Sequence, residues 1–333
     1  MNKIIIFTGA GMSYPLGLPI TTEFTKIIEK IPDKIKIYLE RYLQEDFKDI
    51  EKIMSTLESF IDQHDFLTTI IDQEIQLGYF QQTRSFLDDA RDTCHHVLTG
   101  LKDSIYDILN KFEEEKAAKL YTSLIKQIKD RSSEKTAISF FTTNYDLSFE
   151  KTLYLSLKKY TDLNIKSVDF GFVDNMISQN YTSNQDFIWD PNTIEYIKLH
   201  GSLDWQEDEL MGCVRTGTCI KPIDPNETPL LYPGFKGVPQ KEPFISFHKR
   251  FENRIDNCDA IVVIGFAFRD EYLNSIFEFF LKTTGKKIYC FNPCNLEDFP
   301  EESKVPFFTE EYTNFLLINK EVKIKNNPLD FNF

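Results

Sequence analysis

The chain has no C-x-x-C pair among its six cysteines (Cys94, Cys213, Cys219, Cys258, Cys290 and Cys294). That excludes a four-cysteine zinc ribbon, and six scattered thiols in a chain of 333 residues read as reduced cysteines of a cytoplasmic protein. Long apolar runs are also missing. The longest, Ala260 to Phe268, falls far short of the ~20 residues that a membrane helix requires. The first apolar stretch, Ile4 to Phe7, is shorter than the about 7–15 residues of a signal-peptide core. Positive charge is scarce too: 38 Lys and Arg stand against 52 Asp and Glu, a net of −14. A surface for polyanions would have to be a local basic patch against that field. No Lys/Arg cluster with interleaved aromatics supplies one, so direct nucleic-acid binding and membrane association are not expected.

What is present points to an α/β fold. Hydrophobic residues make up 41% and charged residues 27% of the chain, ordinary for a globular protein. The length suits two domains, or one large domain with an insertion. Four short runs, Ile4–Phe7, Ala137–Phe141, Ala260–Ile264 and Lys287–Phe291, are continuously apolar and end in small or polar residues. Buried parallel strands have this texture. Helical patterns follow three of them, over 147–157, over 270–281 and near Asn295. Repeated strand, loop and helix predict a Rossmann-like parallel sheet with flanking helices.

From 33 to 131 the pattern changes. Only Gly78 and Gly100 interrupt it, and Ile50, Ile53, Met54, Leu57 and Ile61 recur at helical spacing. We read residues 33–131 as a large all-helical insertion, with residues 1–32 and 132–333 forming the sheet domain. The stretches 170–195 and 204–241 are rich in Asn, Asp, Gly, Pro and Thr and read as long loops.

Ligands of parallel sheets sit at the carboxyl ends of the strands. Gly9-Ala10-Gly11-Met12-Ser13 follows the first strand; its glycines would let a phosphate approach the backbone, or would simply make a tight turn. The third glycine of G-x-G-x-x-G is absent, because Tyr14 occupies that place. Thr142-Thr143-Asn144-Tyr145-Asp146 closes the second run, with Asp146 suited to capping the next helix and Asn144 free for other work. His200, in Lys198-Leu199-His200-Gly201-Ser202, ends a short strand over 194–199 and is a candidate general base. Gly265 to Asp270 and Asn292 to Asn295 finish the late strands.

Together these segments resemble the sirtuin superfamily, and more closely its bacterial SIR2-like branch. The matching pieces are Gly9-Ala10-Gly11-x-Ser13 with Gly17-Leu18-Pro19, Thr143-Asn144-Tyr145-Asp146, Leu199-His200-Gly201-Ser202, Gly265-Phe266-x-Phe268-Arg269-Asp270, and Asn292. They stand in the family's order across nearly the whole chain. The resemblance implies NAD+ as substrate, bound at the carboxyl edge of the sheet. It casts Asn144 and His200 as the catalytic pair, with Gly9, Ala10, Gly11, Ser13, Thr143, Asp146, Gly265 and Asn292 around the dinucleotide. Two departures bear on the subfamily. Protein-deacylating sirtuins usually carry two C-x-x-C pairs, absent here, so no metal is expected. The Asp-Phe-Arg that often follows their Gly-Ile-Pro is replaced by Ile20-Thr21-Thr22-Glu23-Phe24.

With its helical insertion, the chain is similar to SIR2-like effectors of antiphage defence. That similarity implies an NAD+ glycohydrolase that depletes NAD+, giving nicotinamide and ADP-ribose. The implied partners are a separate sensor or activator, such as a HerA/FtsK-type ATPase, and further copies of the chain. The alternatives are an NAD+-dependent protein deacylase and a non-catalytic module that senses NAD+ or ADP-ribose.

Overall fold

The computed structural model describes residues 1–20, 23–75, 81–130, 135–157, 163–173, 176–177, 189–208, 212–216, 228–232, 239, 241–292 and 315–319. Cys219, Cys294 and the helix expected near Asn295 lie outside them. The first strands in chain order are β1 (Asn2–Thr8), β2 (Thr136–Thr142), β3 (Ser167–Asp169), β4 (Phe172–Val173), β5 (Met176–Ile177) and β6 (Thr193–Lys198). They are followed by β7 (Trp205–Asp208), β8 (Gly212–Arg215), β9 (Ala260–Ile264), β10 (Lys287–Asn292) and β11 (Phe315–Asn319). The helices are α1 (Ala10–Ser13), α2 (Thr25–Ile28), α3 (Asp33–Leu43), α4 (Ile50–Ile75) and α5 (Gln81–Leu109). The remaining ones are α6 (Glu114–Asp130), α7 (Ser148–Leu157), α8 (Phe244–Asn257) and α9 (Glu271–Thr284).

The chain divides into two compact units: Met1–Leu18, Leu109–Leu231 and Lys236–Phe333 in one, Pro19–Ile108 and Tyr232–Phe235 in the other. The first unit holds a seven-stranded sheet of order β11-β10-β9-β1-β2-β6-β3, parallel throughout. Both its faces are covered, which is why its strands are continuously apolar rather than alternating. On one face Ile5, Phe7, Phe141, Ile261 and Val263 pack with Phe247 and Phe251 of α8 and Phe277 and Phe280 of α9. On the other, Ile4, Ile6, Phe140 and Val262 meet Leu120, Tyr121, Leu124 and Ile125 of α6 and Phe149 of α7. The fold is therefore the Rossmann-like α/β sandwich that the strand–loop–helix repeat predicts.

β1 is the central strand, with β2, β6 and β3 on one side, where the chain builds first, and β9, β10 and β11 on the other, where it builds later. The carboxyl end of β1 is thus a topological switch point, where open α/β sheets bind ligands. One feature differs from the expected long loops. Strands β4, β5, β8 and β7 form a second, antiparallel sheet. Their two to four residues each are too few to show a period of two.

In the second unit α4 and α5 carry complementary apolar stripes, Ile50, Ile53, Met54 and Leu57 on one and Val97, Leu98, Leu101 and Ile105 on the other, all buried. Polar contacts cross between the two helices: His64 Nε2 lies 3.2 Å from Asp88 Oδ1, and Lys102 Nζ pairs with Glu58 Oε1 at 3.3 Å. Among the described residues no helix is long and apolar enough to cross a membrane.

Candidate functional site

The glycines after β1 have a local cause. Gly9 N–H donates to Ile264 O (3.0 Å) and Gly11 N–H to Gly265 O (2.9 Å), which joins the turns after β1 and β9. A Cβ on Gly9 would lie 2.7 Å from Gly265 O, and one on Gly265 would lie 2.4 Å from Met12 N. Gly265 also has φ +61°, which disfavours any side chain. The three glycines let two backbones touch at the switch point.

Ser13, Asn144 and Asp146 form a directed chain of hydrogen bonds beside that contact. Asn144 Nδ2 donates to Gly9 O (3.0 Å) and Ser13 Oγ (3.0 Å), and Ser13 Oγ donates to Asp146 Oδ2 (2.8 Å). Asp146 Oδ1 accepts Ser148 N–H at 2.9 Å, the capping role its position suggests. A backbone carbonyl can only accept, so Gly9 O fixes the amide's orientation. Asn144 Oδ1 is left as the one polar atom of that side chain without a bond among the described residues. Thr143 N–H donates to Thr8 O (3.1 Å), and Ala10 opens the turn that carries Ser13.

His200 ends the neighbouring strand. Thr142 of β2 pairs with Lys198 of β6, so Asn144 and His200 each lie two residues past paired positions. His200 Nε2 lies 3.0 Å from Asp270 Oδ2, while its Nδ1 is buried without a hydrogen-bond partner. Burial pushes the Asp270 carboxyl up, but hydrogen bonding and charge from His200, with the Leu273 N–H, hold it below the ordinary carboxylate value. A second buried ring, His248, lies parallel to His200, with centroids 6.3 Å apart. Burial pushes His248 down to about 4. Asn292 ends β10, and its Nδ2 donates to Phe266 O (3.2 Å).

Lys198 supports both loops from below. Its Nζ donates to Tyr145 O (3.1 Å), Asp146 O (2.5 Å) and Ser202 Oγ (2.8 Å), and pairs with Glu150 Oε1 at 2.8 Å. Ser202 Oγ donates to Asp204 Oδ1 (2.5 Å), which Arg215 neutralises through Oδ2 (2.6 Å).

Among the ten residues expected at the site, Gly9, Gly11 and Gly265 are brought into contact. Ser13, Asn144 and Asp146 are hydrogen-bonded to one another. Among the described residues no hydrogen bond joins His200 to Asn144. Glu150 and His248 escaped the sequence reading, and Lys198 and Asp270 stood in the quoted motifs without a role. Asp270 had one visible signal, an acidic residue just before a helical pattern, but that signal reports its cap and not its histidine. Among the described residues no three His, Cys, Asp or Glu converge to hold a metal ion.

A cavity of about 160 Å³ lies elsewhere, beside Ala137, Ser139, Thr193 and Glu195 in the first halves of β2 and β6. There Glu195 accepts from both Arg250 and Arg254 of α8.

Residues 138–315 match the SIR2-like domain family. The chain belongs to that family. The matched span includes the β2 and β6 loops with Asn144 and His200 and the β9 loop with Gly265. Among curated proteins none matches the sequence. Solved structures similar to this SIR2-like chain include a Sir2 homologue–NAD complex, 12% identical with a TM-score of 0.46, covering 96% of this chain and 84% of that one. Another is a Sir2–p53 peptide–NAD+ complex, 11% identical with a TM-score of 0.42, covering 96% and 88%.

Proposed function

We propose that this SIR2-like chain is an NAD+ glycohydrolase that cleaves the nicotinamide–ribose bond to give nicotinamide and ADP-ribose. The observation that carries the reading is a pair of differently prepared groups on adjacent strand ends. Asn144 has both amide hydrogens committed to Gly9 O and Ser13 Oγ, which leaves Oδ1 to accept from a ribose hydroxyl or a water. His200 has one ring nitrogen on Asp270 and the other free of protein partners. The turns carrying Gly9, Ala10, Gly11, Ser13, Thr143, Asp146, Gly265 and Asn292 would surround the dinucleotide.

The chemistry asks little more than this. The leaving nitrogen is a pyridinium and departs neutral, so no general acid is needed, unlike ordinary glycoside cleavage. Water adds to C1′, the C1′–N bond returns its electron pair to the ring nitrogen, and the water's proton passes to His200. Asn144 Oδ1 orients the water or the ribose.

In the same reading the enzyme is a cytoplasmic, NAD+-depleting effector of antiphage defence. A separate partner such as a HerA/FtsK-type ATPase releases its activity, and the helical insertion serves self-assembly. The resemblance of the ordered motifs supports this part of the proposal.

The test is direct. Purified protein, alone and together with its partner ATPase, is incubated with NAD+ and no acyl peptide, and nicotinamide and ADP-ribose are followed by chromatography. Turnover should appear, falling about 10²–10⁴-fold in His200→Ala and about 10²-fold or more in Asn144→Ala. Turnover unchanged from wild type in both variants, or nicotinamide release only with an acylated peptide, would overturn the proposal.

A further inference from the structure

We infer that Asp270 is a positioning residue that fixes His200 as its Nε2–H tautomer, so that Nδ1 is the atom that takes the proton. What the proton is taken from rests on the glycohydrolase reading; which nitrogen is basic rests on geometry alone.

A carboxylate only accepts, so the 3.0 Å contact between Asp270 Oδ2 and His200 Nε2 puts the ring hydrogen on Nε2. The carboxylate cannot easily turn away, because its Oδ1 caps α9 by accepting Leu273 N–H at 2.9 Å. The loop before it is held as well. Phe268 adopts φ +54°, unfavourable for a bulky residue, and Asn274 Nδ2 of α9 fastens the Phe268 carbonyl at 2.7 Å. Strain retained against such a cost marks a loop whose shape is fixed by its surroundings. Here it sets where Asp270 stands.

The other side of the ring agrees. His200 is 1% exposed, and its Nδ1 meets no donor, so a substrate-borne O–H would be the first. The parallel His248 ring has the opposite tautomer, since its Nδ1 donates to Phe244 O at 2.9 Å. Burial keeps His248 neutral, so it does not repel an imidazolium formed on His200. In the step itself Nδ1 accepts the water proton as oxygen bonds C1′, and Asp270 balances the new positive charge.

The test uses the full chain labelled with ¹⁵N-histidine, with long-range ¹H–¹⁵N spectra at neutral pH and His200→Asn to assign the signals. His200 should show a pyridine-type Nδ1 and a pyrrole-type Nε2. Asp270→Asn keeps a good helix cap but can donate to the ring as well as accept. It should mix or invert the tautomers and lower kcat about 10²-fold or more with little change in KM. A His200 with hydrogen on Nδ1, or a tautomer unmoved by Asp270→Asn, would overturn the inference. A chain that cleaves no NAD+ even with its partner ATPase present would overturn the glycohydrolase reading and the proton transfer with it, while the tautomer signal would still decide the positioning.

Discussion

Replacing Lys198 by methionine removes the cation that ties the Asn144 loop to the His200 loop. Lys198 and Glu150 are only 3% and 2% exposed, and methionine fills much the same volume without the charge. Breaking a buried ion pair from one side costs about 3–5 kcal/mol. The charge part of that loss has a ceiling set by pH, because Glu150 can escape by taking a proton. Burial already pushes its carboxyl up, and Lys198 is the foremost group holding it down. Protonating a carboxyl whose unfolded value is 4.5 costs about 3.4 kcal/mol at pH 7 and about 1.4 kcal/mol at pH 5.5, at 1.36 kcal/mol per unit. With a raised folded pKa the native variant binds more protons than its unfolded chain. Its stability relative to wild type therefore rises as pH falls from 7 towards 4.5. Both tryptophans, Trp189 and Trp205, are buried and lie in the sheet unit, so their emission during urea unfolding follows that unit. The expected loss is about 3–5 kcal/mol at pH 7, with about 2 kcal/mol regained at pH 5.5. Adding Glu150→Gln should regain a similar amount at pH 7. A loss below about 1 kcal/mol at pH 7, or one that does not change with pH, would refute the reasoning.

Two further outcomes follow from the same packing. Gly265→Ala places a Cβ 2.4 Å from Met12 N at φ +61°, so the sheet unit should lose about 2 kcal/mol or more; an unchanged urea midpoint would argue against the backbone contact. His248, pushed down to about 4, binds a proton less readily folded than unfolded. Wild type should therefore lose up to about 3 kcal/mol as pH falls from 6.5 to 4. His248→Phe should flatten that decline, measured as urea midpoints across the range, and an equally steep decline would exclude His248 as its source.

The parallel strands were legible because burial on both faces leaves a continuous apolar signature, as in Ala260–Ile264, where all five residues are buried. Strands β4, β5, β7 and β8 were not, since short segments pairing across a loop-rich stretch leave no periodic trace. Asn144 stood out because Asp146, two residues on, takes the capping work. Its anchoring by Ser13 was invisible, because 131 residues separate the two. The same holds for His200 and Asp270, 70 residues apart. Local pattern reveals which side chains stand at strand ends; which of them touch is decided by the order of strands in the sheet.

That order also bears on how the chain is made. β1 is central, yet its two neighbours come late: Ile4 pairs with Ile138 on one side and with Ala260 on the other. At ribosomal speeds of about 5–20 residues per second, β1 waits about 7–30 s for its first partner and about 13–50 s for its second. Until β9 emerges, Gly265 cannot meet Gly9 and Gly11, and Asp270 cannot reach His200. A nascent chain is thus without the assembled site until then, so any activity housed there begins only once β9 and Asp270 have been made. In the meantime an apolar strand with no partner stands open to chaperones and to mispairing.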